Sequence, residues 1–172
     1  FYRVTKPLEK FGAKFKTNNG KLPITIEGTT NPKSINYIES RGSAQCKSAI
    51  MLAGLNTKGV TSIRAKKSRD HSELLFKNLN IPIRIIKKKK YDFIKINGYK
   101  KIKPFNYKIP SDISSSAFFI VLAALSKKSK LLIKNVNINP TRVGVVKILK
   151  MMGVKIIFKN EKIYKGEKIA DI

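Results

Sequence analysis

The chain is poor in several residues that often carry chemistry. It has one cysteine, Cys46, and one histidine, His71. An internal disulfide is therefore impossible, a lone thiol fits a reducing compartment, and a Cys/His zinc cluster has no ligand set to draw on. No apolar run approaches the roughly 20 residues of a membrane-spanning helix, and the opening residues do not read as a signal peptide. The expectation is a cytoplasmic protein without a membrane or metal partner. Acidic residues number only 10 against 37 cations, a net charge of +27.

Such a balance favours anionic partners: nucleic acid, acidic membrane or phosphorylated small molecules. Arginine is scarce, however. It occurs only at Arg3, Arg41, Arg64, Arg69, Arg84 and Arg142, and the remaining cations are lysines spread along the chain among isoleucines and asparagines. That distribution reads as a broad compositional drift rather than a clustered nucleic-acid groove. Lys87 to Lys90 form the densest run, but it lies between two strand-like segments, where a solvated hairpin turn belongs. With 172 residues, the chain can bury about 70% of its unfolded surface, enough for one core or two small lobes.

What the chain does have is repetition. The stretch from Ser43 to Leu55 is echoed from Ile113 to Leu125, and Ala53 stands 70 positions before Ala123. A helix end followed by strands recurs three times, around Gly12, Asn80 and Gly153, residue types that accept the left-handed conformation closing a helix. The first copy lacks its front half and Phe1 is not a methionine, so the chain is expected to begin inside a longer array.

A coarse reading gives a helix over 4–11 and strands near 13–17, 23–27 and 35–38. A helix over 44–55, a strand over 60–65 and a helix ending at Leu79 follow, with Asp70 and Glu73 as its capping box. Strands are expected at 81–86, 91–96, 106–109 and 130–136, with a helix over 114–125. A further helix runs from Asn139-Pro140 to Met152, before strands near 154–158 and 162–164. Residues 49–55 and 117–125 are apolar on every side, which marks buried helices. Strand positions Lys14, Lys16, Arg84, Lys95 and Lys155 alternate with apolar ones, which turns one sheet face to water. The expected class is α/β with helices inside and sheets outside.

Four motifs then occur in one order: Ser43-Ala44-Gln45-Cys46-Lys47-Ser48-Ala49, Ser68-Arg69-Asp70-His71-Ser72-Glu73, Ile109-Pro110-Ser111-Asp112-Ile113-Ser114-Ser115-Ser116, and Asn137-Ile138-Asn139-Pro140-Thr141-Arg142-Val143-Gly144. With this set the sequence closely resembles the EPSP synthases (3-phosphoshikimate 1-carboxyvinyltransferases). The resemblance implies an inside-out α/β prism of repeated βαβαββ units in two lobes. Residues 1–108 would belong to the first lobe and 109–172 to the start of the second. It also implies transfer of the enolpyruvyl group of phosphoenolpyruvate to the 5-hydroxyl of shikimate 3-phosphate, a step of the shikimate pathway toward aromatic amino acids. That reaction needs no cofactor, and the full-length enzyme is expected to be a monomer.

By resemblance, Ser43, Ala44 and Gln45 match the stretch that binds shikimate 3-phosphate, and Arg69 matches an arginine near its phosphate. A serine hydroxyl and open amides at a helix start make an anion site, and a guanidinium can grip phosphate through two parallel bonds. Taken alone, Ser43 reads first as an N-cap, an order that the resemblance reverses, and the alternative role for Arg69 is one half of a surface ion pair. His71 and Cys46 read as packing residues, Asp112 as a cap at the crossover between lobes, and Arg142 as architectural. No catalytic residue is expected inside the chain. The family's catalytic aspartate, its Lys-Glu pair and its phosphoenolpyruvate-binding arginines fall outside these 172 residues, so no turnover is expected from them alone. Two rival readings are the sister transferase acting on UDP-N-acetylglucosamine and a basic nucleic-acid-binding protein stacking bases on Tyr91, Phe93, Tyr99, Phe105 and Tyr107.

Overall fold

A computed structural model describes residues 1–98 and 101–172; Tyr99 lies outside the described residues. Contacts divide the chain into two compact units, Phe1–Lys103 and Pro104–Ile172. The lobe boundary expected after residue 108 lies within the second unit.

The first unit opens with α1 (Tyr2–Lys10), followed by the hairpin of β1 (Lys14–Asn18) and β2 (Lys21–Glu27). Asn19 and Gly20, both at positive φ, make its turn, as the twist of a tight hairpin requires. Then come β3 (Asn36–Glu39), α2 (Ala44–Leu55), β4 (Val60–Lys66), α3 (His71–Asn78), β5 (Ile83–Lys87) and β6 (Tyr91–Asn97). This is one complete βαβαββ unit. Its sheet runs β3-β4-β6-β5, with β3 parallel to β4 and the other pairs antiparallel. Residues 88–90 form the expected lysine hairpin, closed by Lys88 N–H donating to the Tyr91 carbonyl at 3.0 Å.

Strand periodicity sets the layers. Thr61, Ile63 and Ala65 of β4 are buried, as are Ile94 and Ile96 of β6, while Arg64, Lys66 and Lys95 between them are exposed. The buried row meets Cys46, Ile50, Met51 and Leu55 of α2, with Phe11, Phe76 and Ile81 completing the core. Each such side chain contributes about 1.5–3 kcal/mol by leaving water. Close packing of α2 on β4 depends on Gly54, where a Cβ would lie 3.0 Å from Thr61 Cβ. On the wet face, the Arg64 guanidinium stacks 4.5 Å from the Tyr91 ring centre.

The second unit contains α4 (Ile113–Leu125), β7 (Val136–Asn137), α5 (Gly144–Met151), β8 (Lys159–Tyr164) and β9 (Glu167–Asp171). Its sheet order β7-β9-β8 repeats the β4-β6-β5 arrangement. A parallel bridge between Ser111 and Val136 stands where β3 pairs with β4. Gly12, Asn80 and Gly153, at φ +110, +53 and +89, all adopt the expected left-handed geometry after their helices.

Several local expectations change. Glu73 does not cap α3 but turns into the core, and Asp70 pairs with Lys87 at 3.1 Å. Asn139 starts no helix either: its Oδ1 accepts from the Thr141 amide (2.8 Å) and hydroxyl (2.6 Å). That local turn delays α5 to Gly144. Residues 154–158 join no ladder, nor do 106–109, although the Lys108 amide donates to the Tyr164 hydroxyl at 2.9 Å. The strand expected over 130–136 shrinks to β7, preceded by Ile133, which exchanges both backbone bonds with Ile172. α2 is largely buried, whereas α4 buries only Ile113, Ser116 and Ile120, leaving Phe118 and Leu125 about 80% exposed in this chain.

Asp112 caps α4, accepting from the Ser115 amide at 3.0 Å and hydroxyl at 3.1 Å, and Arg142 reaches its other oxygen at 2.7 Å. Desolvation alone would raise its carboxyl pKa. The bonds from Ser115 and Ser114 and the Arg142 charge outweigh it and hold the pKa below the ordinary value. A carboxylate held low stabilises the fold above its unfolded pKa, and that contribution is lost as pH falls through the folded value. Asp112→Ala is expected to destabilise α4 by about 1 kcal/mol at neutral pH, with the difference from the parent shrinking on acidification. Thermal melts at neutral and acidic pH check this.

Candidate functional site at the start of helix α2

The segment entering α2 is held rigidly. Buried Glu39 at the end of β3 accepts the amides of Arg41 at 3.0 Å and Gly42 at 2.8 Å, folding the chain back before the helix. Gly42 sits at φ +73, and a Cβ there would lie 3.1 Å from the Lys67 carbonyl oxygen. Only glycine fits both the left-handed conformation and this close approach. The loop before α2 and the loop after β4 therefore touch at this point.

Ser43 is the N-cap, its Oγ accepting from the Cys46 amide at 3.2 Å. That contact uses an acceptor lone pair and leaves the hydroxyl proton free to donate. The amides of Ala44 and Gln45, on the first turn, have no backbone acceptor among the described residues. Ser43 and Ala44 are half-buried and Gln45 is exposed. The helix start thus offers a hydroxyl, two open N–H groups and the positive end of the helix dipole.

Arg69 lies in the loop between β4 and α3, with its side chain exposed. Its backbone is tied to α2. Lys47 Nζ donates to the Arg69 carbonyl at 2.7 Å and pairs with Glu73 Oε1 at 2.5 Å. At the next residue of α2, the Ser48 hydroxyl meets that of Ser72 at 2.6 Å. Lys67, two residues before Arg69, pairs with Asp92 of β6 at 2.5 Å. Chemically, open amides at a helix start and an exposed guanidinium on the tethered loop are donors suited to an anion carrying several acceptor oxygens.

The profile of the EPSP synthase (3-phosphoshikimate 1-carboxyvinyltransferase) family matches residues 2–170. The chain belongs to the EPSP synthase family. A 3-phosphoshikimate 1-carboxyvinyltransferase from Ruthia magnifica subsp. Calyptogena magnifica is 43% identical over 171 residues, covering 99% of this chain and 38% of the relative. The EPSP synthase structure from Acinetobacter baumannii superposes with a TM-score of 0.79 at 39% identity, covering 99% of this chain and 38% of that one. An enolpyruvyl transferase from Streptomyces tendae shares the fold, with a TM-score of 0.63 at 13% identity. The chain thus spans about two fifths of the length of the EPSP synthases it matches.

Within this EPSP synthase-family chain, all four residues singled out from sequence lie in the first unit: Ser43, Ala44 and Gln45 at the start of α2, and Arg69 on the loop that Lys47 ties to that helix. Sequence reasoning missed Glu39, Gly42 and above all Lys47. The signal for Lys47 was present: it is the one charged residue in an otherwise apolar or neutral helix. A cavity of about 150 Å³ nearby is lined by Arg3, Lys6, Tyr37, Glu39, Arg41 and Cys46, among others, but by none of Ser43, Gln45 and Arg69. His71 is the first residue of α3. Among the described residues no group of three or more His, Cys, Asp or Glu could hold a metal ion, and no helix is long and apolar enough to cross a membrane.

Cys46 is fully buried. Burial, and then the charge of Glu39, push its thiol pKa up, against a smaller opposing hydrogen bond from Tyr37. Little thiolate forms near neutrality, which makes it a poor nucleophile. Alkylation by iodoacetamide at pH 8, followed by mass spectrometry, is expected to be far slower in the folded chain than in urea.

Proposed function

We propose that the chain forms the shikimate 3-phosphate-binding part of a 3-phosphoshikimate 1-carboxyvinyltransferase. The whole protein would transfer the enolpyruvyl group of phosphoenolpyruvate to the 5-hydroxyl of shikimate 3-phosphate and release inorganic phosphate. One observation carries this reading: the open α2 start at Ser43, Ala44 and Gln45 adjoins the loop bearing Arg69. In that role the Ser43 hydroxyl and the Ala44 and Gln45 amides would donate to the phosphate. Arg69 would neutralise it through paired N–H bonds, and the Gln45 side chain would reach a ring hydroxyl or the enolpyruvyl group.

Further parts of the proposal are that the two units belong to successive lobes, that the whole enzyme is monomeric and cytoplasmic, and that it uses no cofactor. Family similarity supports the shikimate reading over the UDP-N-acetylglucosamine one, because the matched relatives carry the former name across 99% of this chain. It also supports a phosphorylated small molecule over a polynucleotide as the anion that the +27 charge attracts.

Calorimetric titration tests the binding role. Shikimate 3-phosphate is expected to bind the 172-residue chain, and shikimate, lacking the phosphate, at least about 100-fold more weakly, the equivalent of the two charge-assisted bonds from Arg69. Equal affinities would contradict the site. Polynucleotide binding with a steep salt dependence, indifferent to added shikimate 3-phosphate, would favour the rival reading. With both substrates present, no phosphate release is expected from the chain alone; detectable release would refute that part.

A further inference from the structure

Lys47 is unusual: a cationic side chain with 1% exposure, inside a helix that has no other charged residue. Its partners come from one direction, the loop and helix after β4. Nζ bonds Glu73 Oε1 and the Arg69 carbonyl, and Glu73 Oε2 is buried with no hydrogen-bond partner among the described residues. An apolar pair of similar volume would fill this space at little cost in stability, since desolvation of a buried ion pair commonly offsets its attraction. What an apolar pair cannot supply is the bond to the Arg69 backbone.

We propose that Lys47 and Glu73 are positioning residues for anion recognition. Glu73 fixes the ammonium, and the ammonium fixes the Arg69 carbonyl, so that the exposed guanidinium projects from a loop held against the first turns of α2. The Ser48–Ser72 contact and the Lys67–Asp92 pair brace the same loop from either side. The amides on α2 and the backbone of the loop that carries the guanidinium are thereby held together before any ligand arrives. This pre-organisation removes loop-ordering entropy from the binding step. The inference rests on reading Ser43–Gln45 and Arg69 as a shikimate 3-phosphate site.

The test uses the 172-residue chain and its double variant Lys47→Met/Glu73→Leu, which removes both charges and leaves none buried alone. Backbone ¹⁵N relaxation reports order at residues 68–71, the signals of Ile63 and Ile94 report the integrity of the sheet, and NMR titration gives affinities for shikimate 3-phosphate and for shikimate. Expected for the double variant are unchanged sheet signals, lower order at 68–71, and about a tenfold loss of shikimate 3-phosphate affinity. Shikimate binding should not change, a selectivity that a merely structural role would not produce. A parent-like loop and parent-like affinity would overturn the inference while leaving the substrate reading intact. If the parent chain binds no shikimate 3-phosphate, the substrate reading falls and takes the recognition role with it, whatever the loop does.

Discussion

Alanine in place of Lys47 alone is expected to destabilise the first unit by roughly 3–5 kcal/mol. The side chain is fully buried, and its removal leaves the Glu73 carboxylate inside the core with neither of its oxygens paired. It also opens a cavity beside Ile50 and Met51, the neighbouring buried positions of α2, which adds a packing loss. Lys47→Met should be milder in packing but suffers the same stranded charge. Restoring balance with Glu73→Leu in the Lys47→Met background should recover most of the stability, because no buried charge then remains. Urea titrations followed at the amide signals of Ile63 and Ile94 check these three variants and Glu73→Leu alone. Additive losses in the double variant would contradict coupling between the pair.

Arg69→Ala is expected to weaken shikimate 3-phosphate binding by about 100-fold, corresponding to the loss of two charge-assisted hydrogen bonds at the lower end of their range. The fold should be unaffected, since the side chain is exposed and the tether to α2 runs through its backbone carbonyl. Arg69→Lys should fall between the two, because an ammonium keeps the charge but not the planar fork. Arg64→Ala is the control: its guanidinium lies over Tyr91 and Phe93 on the wet face of the sheet. Were Arg64→Ala to reduce affinity as much as Arg69→Ala, diffuse attraction by the lysine-rich surface would explain binding, and raising the salt would abolish it.

Much of this was legible in the sequence because it is written locally. The bounds of α2, the Ser43 cap, the left-handed Gly12, Asn80 and Gly153, and the alternation along β4 and β6 all follow from short-range patterns, and the βαβαββ repeat follows from their recurrence. What the sequence hid is tertiary. Glu73 three residues after Asp70 has the spacing of a capping box, yet the buried ammonium of Lys47 outcompetes the helix amides for its carboxylate. Asn139-Pro140 has the chemistry of a helix start, yet Thr141 satisfies the Asn139 side chain in a turn. Apolar composition on all sides of α4 shows that the helix prefers an apolar environment. It does not show which element supplies it, and in this chain Phe118 and Leu125 have none. Within the candidate site, the residue types were visible, but the tether joining α2 to the Arg69 loop was not.

The most direct measurement is a ¹⁵N–¹H correlation titration of the 172-residue chain with shikimate 3-phosphate, repeated at two salt concentrations. The expected result is saturable shifts concentrated at the amides of Ser43, Ala44 and Gln45 and at Arg69, persisting at higher salt. Shifts scattered over the lysine-bearing hairpin at 87–91 and lost on adding salt, with residues 43–45 unmoved, would contradict a shikimate 3-phosphate site at the start of α2.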